Sequence, residues 1–236
     1  MPNRDRPLYA VLIDADNIPA KFAEAILKEI TALGEPALRR VYGDWSSGRL
    51  KAWTEKVRDL GLVAHQESAN TVGKNASDIG LVIDAMDILH TGRFDGFVLV
   101  SSDSNFTALA NRIRENGLDV IGIGEKKAPE ALRNVCNRFV LIENIIEEAP
   151  AQGRDAKSLG KTDPKEAAPL LRQAMDRISQ DEEWYALGPL GQNLTVLAPD
   201  FDSRTYGFRK LSDLISALKG FETRKSGNQI QVRRLD

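Results

Sequence analysis

The sequence predicts an α/β domain, a parallel sheet with helices on both faces, followed by a small winged-helix domain. Three observations carry this expectation. Short β-branched runs alternate with longer helical stretches from residue 8 to about residue 148; a polar stretch without aromatic residues follows; the remainder reads as three helices and a terminal hairpin. At 236 residues the chain also exceeds the usual single-domain size, so two domains are expected.

Taken in order, the strand candidates of the first domain are residues 8–13, 38–42, 62–65, 96–100, 120–123 and 139–141. Helical candidates at 20–33, 48–60, 76–89, 106–116 and 129–136 lie between them. Gly34, Gly61, Gly92 and Gly117 each follow a helical stretch directly, where a left-handed residue would end it. Residues 149–163 hold one large aliphatic side chain, Leu159, which is too little apolar surface to fold. They are expected to link a domain at 1–148 to one at 164–236. In the latter, helices are expected at 164–179, 187–198 and 210–218. Strand-like runs at 221–224 and 229–232 are turned by Ser226-Gly227-Asn228.

Composition narrows the function classes. With 42% hydrophobic and 28% charged residues the chain is neither disordered nor fibrous. The single cysteine, Cys136, excludes an internal disulfide, and with only His65 and His90 beside it no Cys-rich zinc site can be built. Apolar runs fall far short of the roughly 20 residues that span a bilayer, so no membrane association is expected. The first residues lack the apolar stretch of a secretory signal, and a cytoplasmic location is expected. A net charge of -2 excludes a strongly basic nucleic-acid binder at the level of the whole chain.

The chemistry concentrates at two strand ends. The first strand closes with Ile13-Asp14-Ala15-Asp16-Asn17, the fourth with Val100-Ser101-Ser102-Asp103-Ser104-Asn105. In an open parallel sheet, functional groups gather outside the carboxyl ends of strands near a switch in strand order, which would bring Asp14 and Asp103 together. Carboxylates forced together repel unless a cation lies between them. With oxygen ligands only, that cation is hard, Mg²⁺ or Mn²⁺; such a centre activates water and neutralises phosphoryl charge, the chemistry of phosphodiester hydrolysis. The competing reading is local: Asp103 or Ser104 can serve as the cap of the helix near Phe106. Asp16 ranks second, and Asp84 and Asp87 read as surface or buffering charges, Asp84 being turned about 120° from Asp78 on a helix.

Leu12-Ile13-Asp14-Ala15-Asp16-Asn17, Lys74-Asn75-Ala76-Ser77-Asp78 and Val98 to Phe106 together resemble NYN domains of the LabA-like group, related to PIN nucleases, over roughly residues 7–146. The resemblance implies a PIN-like fold and a metal centre with Asp14, Asp78 and Asp103 as catalytic ligands and Asn17 as a polar neighbour. At position 105 the family commonly carries an acid. Asn105 offers a carbonyl oxygen to the metal in its place, without charge and without basicity. Lys74 and the segment 43–51 are candidates to line a path for an RNA backbone, where Trp45 and Trp53 offer stacking faces or, equally, core packing.

From residue 201 to 236 eight Lys or Arg face four Asp or Glu. Leu187-Gly188-Pro189-Leu190-Gly191-Gln192-Asn193-Leu194, Phe201-Asp202-Ser203-Arg204-Thr205-Tyr206-Gly207-Phe208, Lys210 to Ile215 and Phe221-Glu222 resemble the LOTUS (OST-HTH) domain. The resemblance implies RNA as ligand, single-stranded or structured and with G-rich RNA included, or a protein partner. Arg204, Arg209 and Lys210 are the candidate RNA contacts; Tyr206 reads as structural. The whole sequence thus reads as a metal-dependent ribonuclease with a C-terminal RNA-binding domain, against the alternative of an RNA-binding adaptor with a weakened nuclease domain.

Overall fold

Seven consecutive residues, LYAVLID, form the first strand, β1 (Leu8–Asp14), and all seven are buried. An apolar run of this kind, rather than strict alternation, marks a central parallel strand covered on both faces. The computed structural model describes residues 5–46, 48–66, 76–146, 161–179, 183–227 and 229–235. The chain divides into two units, Met1–Glu148 and Ala149–Asp236.

In the first unit β1 is followed by α1 (Ala23–Leu33), β2 (Glu35–Gly43), α2 (Lys51–Asp59), β3 (Val63–Gln66), α3 (Ala76–His90), β4 (Gly96–Val100), α4 (Thr107–Glu115), β5 (Asp119–Gly124), α5 (Glu130–Val135), β6 (Arg138–Leu141) and α6 (Ile142–Ile146). The strands form one sheet in the order β3-β2-β1-β4-β5-β6, every neighbouring pair parallel. Strand order therefore reverses between β1 and β4, and the crevice at their carboxyl ends is the natural place for a site.

Strand alternation sorts the core into two layers. Leu8, Ala10 and Leu12 of β1 join Phe97 and Leu99 of β4 against Leu81 and Ala85 of α3, with α4 and α5 on the same side. Tyr9, Val11 and Ile13 join Val98 and Val100 against Ile26 of α1 and Trp53 of α2, with α6 on that side. Each fully buried aliphatic or aromatic side chain contributes about 1.5–3 kcal/mol relative to exposure.

Some expected boundaries change for physical reasons. The expected helix at 20–33 is a 3₁₀ turn, Ala20–Phe22, running into α1, and α6 has no counterpart among the expected helices. Gly61, Gly92 and Gly117 are left-handed as expected, but Gly34 is extended, with φ -177°. Glycine is required there for space: a Cβ would lie 2.4 Å from the Tyr9 ring.

The second unit holds α7 (Ala168–Ile178), β7 (Tyr185–Ala186), α8 (Leu187–Leu197), α9 (Leu211–Ser216) and the hairpin β8 (Phe221–Ser226) and β9 (Gln229–Arg234), with sheet order β7-β9-β8. Leu171, Met175, Tyr185, Leu190, Leu214 and Phe221 belong to a core of its own. Three helices and a hairpin wing match the expectation; the two-residue strand β7 was not foreseen. Most of the expected linker lies outside the described residues. Its last residues, Lys161, Thr162 and Asp163, already belong to this unit: Thr162 N–H donates to Thr205 O at 3.1 Å, and Asp163 caps the 3₁₀ turn Pro164–Ala167. No helix among the described residues is long and apolar enough to cross a membrane.

Candidate metal centre

Asp14 is the last residue of β1, and by strand alternation it continues the row Leu8, Ala10, Leu12 on the α3 side of the sheet. On β4 the same side carries Phe97 and Leu99, so the next residue in that row is Ser101. Because Ile13 pairs with Val100, Ser101 falls beside Asp14 and its hydroxyl donates to Asp14 Oδ2 at 2.9 Å. The Ser101 hydroxyl also accepts from Asp103 N–H at 3.1 Å. Asn17 ties the two loops together: its backbone N–H donates to Asp14 Oδ1 at 3.2 Å, and its side-chain oxygen Oδ1 accepts from Ser102 N–H at 2.9 Å.

Asp103 combines the two roles weighed from sequence. It caps the 3₁₀ turn Ser104–Phe106, accepting from Asn105 N–H at 2.8 Å, and it stands at the same strand edge as Asp14. Asp78 reaches that edge from the first turn of α3. The Asn105 side-chain amide donates to Asp78 Oδ2 at 3.2 Å, so Asn105 holds Asp78 through its side chain and Asp103 through its backbone. Asn105 stands between two carboxylates as a donor.

The electrostatics register this crowding. Burial pushes the Asp14 carboxyl up to about 7; the charges of Asp78 and Asp16 add to the rise, while the Ser101 hydroxyl and Asn17 N–H oppose it. Asp14 is only 3% exposed. Asp78 is also raised, first by burial and then by Asp103 and Asp16, against the Asn105 amide. Asp16, ranked second from sequence, is thus a member of the cluster. Among the described residues no three His, Cys, Asp or Glu groups close around one point at metal-ligand distance as the side chains lie. The donor set nonetheless suits a hard divalent cation: every donor is oxygen, and a buried carboxylate held up by its neighbours' charge gains most when a cation replaces its proton.

Other sequence candidates have different tasks. Asp84 accepts from the Tyr42 hydroxyl and from Arg40, so it braces α3 against β2. Trp53 is core, 2% exposed, with its indole N–H donating to Ile18 O at 2.8 Å, and Trp45 is half-buried with its indole bonded to His65 O. Lys74 lies outside the described residues. Arg204 is held by Asp202 through a bidentate pair, Nε to Oδ1 at 3.1 Å and Nη2 to Oδ2 at 2.7 Å, the two side chains 14% and 12% exposed, which makes it a structural ion pair rather than an open RNA contact. Asp202 caps the 3₁₀ turn Ser203–Tyr206, and the chain then turns through left-handed Gly207, φ 89°. Tyr206 packs against the second core, 5.9 Å from Phe201 between ring centres. Arg209 and Lys210 are exposed just ahead of α9.

Ser101 and Ser102 were not singled out from sequence. The parity of β4 against β1 is the signal that places Ser101 beside Asp14. Ser102, whose hydroxyl accepts from Glu125 N–H at 2.8 Å, carries no comparable signal.

A family model described as the NYN domain matches residues 9–143, more than half the sequence. The chain belongs to the NYN domain family. Within this NYN protein a second model, the OST-HTH/LOTUS domain, matches residues 161–232. Among solved structures the chain is similar to the protein of unknown function VPA0982 from Vibrio parahaemolyticus, at 21% identity over 60% of this chain and 96% of that one, with a TM-score of 0.51. That likeness shows a shared fold. It is also similar to an uncharacterized protein from Nitrosomonas europaea gene locus NE0665, 30% identical over 37% of this chain and 90% of that one, TM-score 0.28. No curated protein matches the chain.

Proposed function

We propose that the NYN domain hydrolyses RNA phosphodiester bonds with Mg²⁺ or Mn²⁺, and that the LOTUS domain supplies affinity for the RNA. The observation that carries this reading is the meeting of Asp14, Asp78 and Asp103, with Asp16, at the switch point between β1 and β4. Asp14, Asp78 and Asp103 would hold the cation, with the side-chain oxygen of Asn105 available if its amide turns over. The cation, when bound, supplies a Lewis acid for the phosphoryl oxygens and an acidified water. Ser101 and Asn17 orient the Asp14 carboxylate, and Asn105 keeps Asp78 and Asp103 apart. The LOTUS domain raises the local concentration of RNA at the nuclease domain through the intervening chain.

A second reading, an RNA-binding adaptor with a slow nuclease domain, draws on Asn105, which donates where family members carry a further acid. Labelled single-stranded and hairpin RNA, incubated with the purified chain in Mn²⁺, in Mg²⁺ or in EDTA, separates the two. Cleavage that needs the metal and falls by roughly 100-fold or more in Asp14→Asn and in Asp103→Asn, with folding retained, is the expected result. Binding of RNA without cleavage under any of these conditions would favour the adaptor, and equal cleavage by both variants would remove the carboxylate site.

A further inference from the structure

A cavity of about 350 Å³ opens in the second unit where the start of α7 meets the turn between α9 and β8. Its floor is apolar: Leu218 and Phe221 are buried core residues, with Ala168 packed beside them. Its polar lining is mainly cationic, with Lys165, Arg172 and Lys219 against one acid, Asp163, whose carboxylate already accepts from Lys165 N–H at 2.9 Å. The Arg172 guanidinium lies 5.2 Å from the centre of the Phe221 ring. It also sits tightly against Gly220, where a Cβ would come within 3.0 Å of Arg172 Nη2. An arginine beside a phenyl ring therefore lines the cavity together with two lysines.

That combination suits a nucleobase with its phosphate. Unpaired bases stack on aromatic rings and guanidinium planes, and lysine ammonium groups take up phosphate. The volume is that of a small-ligand site, roughly 300–1,000 Å³. An acidic peptide would engage the lysines but leave the Phe221 ring beside Arg172 unused. We propose that this cavity takes one unpaired nucleotide of an RNA strand, its base on the Arg172–Phe221 side and its phosphate against Lys165 and Lys219. The proposal rests on the RNA-binding reading of the LOTUS domain and adds a contact at the opposite end of α9 from Arg209 and Lys210.

The test measures affinity of the full chain for a labelled single-stranded RNA of mixed sequence, in EDTA, for the protein as it stands and for Gly220→Ala and Lys219→Glu. Gly220→Ala displaces the guanidinium without changing charge; Lys219→Glu alters an exposed side chain that the fold does not need. Each should weaken binding about tenfold, the scale of one stacked base or its phosphate contact. RNA bound equally well by the parent chain and both variants overturns the cavity's role and leaves the RNA-binding reading standing. Loss in Lys219→Glu with none in Gly220→Ala reduces the site to surface charge and overturns base insertion. A parent chain that binds an acidic peptide through Lys219 but no RNA overturns the RNA-binding reading and the choice of a nucleotide together.

Discussion

Burial of Asp14 gives the metal-free fold a pH dependence. Its carboxyl rises from 3.8 to about 7 in the folded state, so between those values the native protein keeps a proton that the unfolded chain has released. Stability from this group is therefore full below about pH 4 and is lost as pH rises through about 7, by up to roughly 4 kcal/mol. In EDTA, the unfolding temperature of Asp14→Asn should exceed that of the parent chain by a margin that widens from pH 5 to pH 8; a constant margin would contradict the burial argument. Asn105→Asp adds a third charge beside Asp78 and Asp103, so it should destabilise the metal-free protein and enlarge the stabilisation by Mn²⁺, read as the difference between melting curves with and without the ion. The strand-end position made Asp14 and Asp103 legible in the sequence. Asp16 is less legible because, two residues past the strand, no periodicity assigns its side. Arg204 shows what residue type alone leaves open: Asp202, two residues earlier, caps a short turn and holds the guanidinium.

Elements were easier to read than their partners. Four strands of the sheet, β1, β4, β5 and β6, follow from buried apolar runs, and β4 has the expected bounds. What the sequence did not show was which helix ends for reasons of space: Gly34 is needed by the Tyr9 ring of β1, a contact between residues far apart in the chain. The Asp103 cap near Phe106 is legible in the sequence, whereas the 3₁₀ turns at Ser104–Phe106 and Ser203–Tyr206 are not, and each depends on one aspartate side chain reaching the backbone two residues on. The second of these predicts a division between stability and binding. Asp202→Ala removes a cap and an ion pair and should lower the stability of the second unit by about 1–3 kcal/mol with little change in RNA affinity. Lys210→Glu, at an exposed position, should do the reverse. Paired denaturation and RNA-binding measurements on the two variants decide it, and matching losses of affinity would contradict the structural role given to Asp202 and Arg204.

At the scale of the whole molecule, two units with separate cores carry two family signatures, NYN over residues 9–143 and OST-HTH/LOTUS over residues 161–232. A chain ended at Glu148 should keep RNA cleavage at saturating substrate yet lose much of its RNA affinity, and the lost part should be the more salt-sensitive one. Both domains were legible because each has its own hydrophobic pattern. The third corner of the proposed metal site is less so, because Asp78 alone looks like any first-turn acid on a helix, and only the fold carries it toward the end of β1. Whether these carboxylates hold a divalent cation is read by calorimetric titration of Mn²⁺ into the full chain and into Asp78→Ala. A cation held by Asp14, Asp78 and Asp103 should give saturable binding in the parent chain and its loss, or a weakening of tenfold or more, in the variant. Equal binding by both, or none by the parent chain, would contradict it.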